Sequence, residues 1–89
     1  MRLYSRLAPA GAVKIQKGGE TKQTQINHMT LTATGTGTLT LADGTNTYVI
    51  DVAVGINEFC MPLIFEGNVD VTITAAAATI SVFADYTHK

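Results

Sequence analysis

Apolar residues in this chain recur at every second position, and that period limits what it can fold into. Val13 and Ile15 alternate with Lys14 and Gln16, Leu39 and Leu41 with Thr38 and Thr40, and Val69, Val71 and Ile73 with Asp70 and Thr72. Tyr48, Ile50, Val52 and Val54 repeat the pattern with Asp51 turned the other way, as do Ile80, Val82 and Ala84 with Ser81 and Asp85. Successive side chains of a strand point to opposite faces, so each run describes a half-buried β-strand. No segment carries the stripe of an amphipathic helix. Threonine fills many outward positions, where its branched β-carbon suits a pleat and its hydroxyl bonds water.

Between the runs sit Gly18-Gly19, Gly35-Thr36-Gly37, Asp43-Gly44, Gly55 and Glu66-Gly67-Asn68, all turn formers. Asp43-Gly44 is the strongest hairpin signal, joining residues 38–42 to residues 46–52. The apolar phase slips between Ile26 and the set Met29, Leu31 and Ala33, which predicts a β-bulge near Asn27-His28. Pro62, inside residues 58–65, cannot donate to a ladder, so that strand lies at a sheet edge or breaks there. Ala75 to Ala78 reads as a compact connection between the last two strands, or as a place where small side chains let subunits approach closely. About seven to eight short strands at near-regular spacing predict an all-β fold, an antiparallel β-sandwich or jelly roll, with an extended N-terminal arm. We expect one domain, with residues 1–17 as a basic N-terminal arm and first strand and residues 18–89 as the sandwich body.

Composition adds a surface problem. The chain is 46% hydrophobic and only 15% charged, against roughly 25% charged in an average domain. A domain of this size hides only roughly 60% of what its unfolded chain exposes. The surplus apolar surface predicts stable association. Charge is also segregated: residues 1–22 hold Arg2, Arg6, Lys14, Lys17 and Lys22 against Glu20 alone, while residues 23–89 hold Lys89 against Asp43, Asp51, Glu58, Glu66, Asp70 and Asp85. The two parts attract.

Little else suggests chemistry. Pro9, Gly11 and Lys14 interrupt any signal-peptide core, and no apolar run is long enough for a membrane helix. With only His28, His88 and Cys60 as soft ligands, far apart, we expect no metal and no cofactor. Cys60 becomes a nucleophile only if His28 lies beside it; a buried strand cysteine is the simpler reading. Asp70 and Asp85 face one another if the last two strands pair, and are otherwise solvated strand-face acids. There is no phosphate-binding glycine motif, and a pI near 6.0 argues against nucleic acid. A glycan-binding or adhesive module, such as a phage fibre or spike, requires Tyr48, Tyr86 or Phe83 exposed around a groove, although alternation fits these rings to the core as well.

The basic lead-in, Gly18-Gly19, the threonine-rich stretch 30–41, the Asp43-Gly44 hairpin and the closing Val/Thr/Ile repeat of residues 68–86 together resemble small virion proteins of tailed bacteriophages, in particular the capsid decoration, or cement, class. The resemblance implies a β-sandwich that forms oligomers, often trimers, on the outside of an icosahedral shell and braces neighbouring capsomers without catalysis. It places the protein on the virion's outer surface, made in the host cytoplasm, with the major capsid protein or another virion protein as partner. In that role Arg2, Arg6, Lys14 and Lys17 pair with acidic shell surface, while Leu3, Tyr4 and Leu7 anchor apolar contacts. A small hydrolase is a third, weaker reading.

Overall fold

The computed structural model describes residues 2–16, 23–60, 62–66 and 70–88. Among the described residues nine strands follow one another: β1 (Arg2–Leu7), β2 (Ala12–Ile15), β3 (Gln23–Ala33), β4 (Gly37–Ala42), β5 (Thr47–Val52), β6 (Gly55–Phe59), β7 (Leu63–Glu66), β8 (Val71–Ala76) and β9 (Ile80–His88). They form two antiparallel sheets. One runs β1-β9-β3-β6 with β7 also on β3, and the other β2-β8-β4-β5. The all-β sandwich expected from the alternation is present, with nine strands where seven to eight were counted. Among the described residues no helix is long and apolar enough to cross a membrane.

The leading segment lies extended along the chain's own body. Residues 2–7 pair along β9 and residues 12–15 along β8, so the basic lead-in supplies an edge strand to each sheet. Its alternation explains this: Leu3 and Leu7 turn inward while Arg2, Tyr4 and Arg6 stay exposed. Pro9 does not loosen the segment into a tail. It lies in the link that carries the chain from one sheet to the other, where Ala10 N–H donates to Ala75 O at 2.8 Å and Ala75 N–H to Gly11 O at 3.0 Å. Lys17, the Gly18-Gly19 turn, Gly67-Asn68 and Val69 lie outside the described residues.

The bulge lies where the phase slips. Ile26 faces Tyr86 and His28 faces Asp85, leaving Asn27 as the extra residue. Its side chain then bridges the strands, accepting from Gln25 Nε2 at 3.0 Å and donating to Thr87 Oγ1 at 3.1 Å. The inserted residue lets Thr24, Ile26, Met29, Leu31 and Ala33 all point inward from one strand. Pro62 breaks the edge strand: β6 covers residues 29–33 of β3, and β7 covers residues 23–26 on the same flank. The hairpin forms as expected. Asp43 Oδ1 accepts from Thr45 N–H at 2.9 Å and Asn46 N–H at 2.6 Å, and Asp43 N–H donates to Asn46 O.

Between the sheets the core is aliphatic, with Leu39, Leu41 and Ile73 from one sheet meeting Ile26, Leu31, Val82 and the single buried phenylalanine, Phe65, from the other. The alanines close one end. Ala75 is buried opposite Leu39 in β8, Ala77 takes a left-handed φ of 68°, and Ala78 tucks into the core as the chain crosses to β9. This matches a compact connection.

Candidate functional site

The seven residues expected to bind a partner separate by strand and by face. Arg2, Tyr4 and Arg6 stand in a row on the outer side of β1, all exposed, Tyr4 by 69%. Lys14 is exposed on β2, at the corresponding edge of the other sheet. Leu3 is half-buried at the seam between the sheets. Leu7 is a correction: at 4% exposure it belongs to the core and cannot anchor a partner, because the inward phase of β1 delivers it between the sheets. Lys17 lies outside the described residues.

Tyr4 does not stand alone. Its cross-strand partner is Phe83, and the rings meet edge to face with centroids 6.1 Å apart, a favoured aromatic geometry. Phe83 is 40% exposed. It occupies the outward phase of β9 between Ser81 and Asp85, so it is not the core ring that the sequence allowed. The register extends this row to Thr30 on β3 and Glu58 on β6.

The opposite flank carries apolar residues that sequence reasoning passed over. Val49 on β5, Ile56 on β6 and Ile64 on β7 all point outward, and Ile56 is 76% exposed. Their signal was available: each occupies the same phase as an acid on its own strand, Asp51, Glu58 or Glu66. Inside this flank, Tyr48 seals the seam. Its ring packs edge to face on Phe65 at 5.2 Å, and its hydroxyl donates to Ile64 O at 3.3 Å.

The groups weighed for chemistry do not converge. Asp70 and Asp85 are not opposite one another, because β8 and β9 lie in different sheets. Cys60 is exposed and follows the end of β6, so it is not a buried strand thiol. The β3–β6 register ends at Met29 and Phe59, so Cys60 lies beyond the paired strand, and among the described residues no hydrogen bond joins it to His28. The rings considered for a glycan platform are dispersed. Tyr48 lies in the seam, Tyr86 packs against the core with its edge to His88, and Phe83 stands on the outer face. Among the described residues there is no cavity and no group of three or more metal-ligating side chains.

No family model matches the chain, and no curated protein sequence matches it. Solved structures do. One is the nucleoplasmin-like N-terminal domain of Drosophila FKBP39, similar over 100% of this chain and 89% of that one, with a TM-score of 0.60 and 21% identity. At that identity the likeness establishes the sandwich fold.

Proposed function

We infer that this protein is a structural module that self-associates and fastens onto a larger protein shell, as capsid decoration proteins of tailed phages do. The observation that carries the reading is the exposure of Tyr4, Phe83, Val49, Val54 and Ile56 on so small a body. With Ile64, six large apolar side chains stand in water among the described residues of a 9.4 kDa chain, the surface expected of a subunit whose faces are covered in its working state. The Tyr4–Phe83 pair, standing out from the five-stranded sheet between Arg2 and Arg6 of β1, has the make-up of an interface centre: an aromatic anchor with arginine beside it. The reading assigns no catalytic step to the chain. A trimer is the stoichiometry we favour, and the outer surface of a virion the location.

Two measurements test it. Light scattering on the full chain is expected to give an oligomer at micromolar concentration, and co-sedimentation with shells lacking the protein is expected to show saturable binding. Phe83→Ala is expected to weaken shell binding with the oligomer intact. A monomer at every concentration that ignores shells would overturn the reading.

A further inference from the structure

Among the described residues, the strand order places six of the seven Asp, Glu, Lys and Arg residues that lie in strands on the two lateral sides of the sandwich. On one side lie β1 and β2, in contact where the chain crosses between the sheets. Their charged residues are Arg2, Arg6 and Lys14, all exposed and all basic. On the other side lie β5, β6 and β7, joined across the seam by Tyr48. Their charged residues are Asp51, Glu58 and Glu66, all exposed and all acidic. The central strands β3, β4 and β8 carry no Asp, Glu, Lys or Arg; β3 holds His28, and β9 holds His88 and Asp85, which faces Arg2 on one side and His28 on the other. None of the six lateral charges pairs with another described residue.

Each side also exposes apolar surface between its charges. Tyr4 and half-buried Leu3 and Val13 mark the basic side; Val49, Ile56 and half-buried Ile50 mark the acidic side. Strand direction fits as well. Every neighbouring pair in both sheets is antiparallel, so β1 and β6 run in opposite directions, as do β2 and β5. A second copy laid beside the first therefore continues the antiparallel order of both sheets at once.

We propose that copies of this chain associate head to tail, the basic β1/β2 side of one against the acidic β5/β6/β7 side of the next. This rests on the self-association inferred above and fixes which surfaces make it. A two-fold contact of like sides is disfavoured, because it sets three arginine and lysine charges, or three carboxylates, against their own copies. A heterologous contact closes into a ring when its rotation closes. It commits Arg2, Arg6 and Lys14, with Tyr4 between the two arginines, to the neighbouring copy and leaves Phe83, on the outer face of β9, for the shell.

The test is sedimentation velocity on the full chain and three variants, with circular dichroism confirming that each is folded. Arg2→Glu/Arg6→Glu/Lys14→Glu makes both sides acidic, Asp51→Lys/Glu58→Lys/Glu66→Lys makes both basic, and the six-fold variant exchanges the sides. Each one-sided variant is expected to associate roughly tenfold or more weakly than the wild type, an equimolar mixture of the two to regain association, and the exchanged chain to associate alone. Should a variant fail to fold, the wild type carries the test: its association is expected to weaken as salt rises to about 0.5 M, where exposed charges are screened within a few ångströms. A wild-type oligomer that neither charge reversal nor salt disturbs overturns head-to-tail pairing and leaves self-association standing, as does a mixture that fails to recombine. A wild type that stays monomeric overturns both.

Discussion

Gly37 begins β4 at the point where β8 leaves the sheet, and a single methyl there has nowhere to go. A Cβ at this position meets Ala76 O at 2.6 Å, Ala78 Cβ at 3.0 Å and Ala78 N at 3.3 Å. Two of the three obstacles are backbone, so no rotamer change relieves the clash. Overpacking a well-packed site costs about 1–3 kcal/mol, and a rigid obstacle places Gly37→Ala toward 3 kcal/mol. For a domain of this length, with stability of about 4–13 kcal/mol in total, such a loss lowers the melting temperature by roughly 10–20 °C. Gly35→Ala is the control. There the nearest atom to the new Cβ is Ala78 Cβ at 4.0 Å, and reduced freedom of the unfolded chain makes the change stabilising by about 0.4–1 kcal/mol. Adding Ala78→Gly to Gly37→Ala does not restore stability, because the Ala76 carbonyl remains. The assay is urea unfolding followed by far-ultraviolet circular dichroism. Equal midpoints for Gly35→Ala and Gly37→Ala would refute the account of this corner.

Four further outcomes follow from the same packing. Ala77→Gly relieves an exposed residue held at φ 68° and is expected to raise stability by about 0.5–1 kcal/mol in the same urea assay. Phe65→Ala, which empties a fully buried ring site under Tyr48, is expected to cost about 3–5 kcal/mol; a loss below 1 kcal/mol would place that ring outside the core. Asp43→Ala removes the acceptor of two turn N–H groups and is expected to cost about 1–2 kcal/mol, with Asp43→Asn losing less because it keeps an acceptor oxygen. Leu7→Ala and Tyr4→Ala separate folding from association: calorimetry is expected to show a loss of about 2–3 kcal/mol for core Leu7 and little change for exposed Tyr4, while light scattering and shell co-sedimentation show weaker association for Tyr4→Ala.

Features encoded by local period were legible in the chain. The bulge at Asn27 shows because a strict two-residue alternation cannot place both Ile26 and Met29 inward without an extra residue. The Asp43 turn and the break at Pro62 show because side-chain acceptors and missing N–H groups act within a few residues. Residues 2–7 carry the same alternation, yet Pro9 and Gly11 suggest an extended arm lying on an acidic body, its own or a neighbour's; in the fold the segment pairs along its own β9 and the link crosses between sheets. Adjacent strands suggest a pair, which set Asp70 against Asp85, whereas the left-handed Ala77 sends β9 to the other sheet. The acidic flank was invisible for a similar reason. Asp51, Glu58 and Glu66 lie on three strands, and only the order of strands in two sheets gathers them. Segregation of charge along the sequence was the one trace of it.

Hydrogen exchange on the full chain, compared between dilute and assembling concentrations, reads the lateral sides directly. The account predicts that protection rises at the outward amides of the flanking strands β1, β2, β5, β6 and β7, with the threonine-lined centres of β4 and β8 unchanged. New protection confined to the centre of the four-stranded sheet, with the flanks exchanging as before, would contradict it.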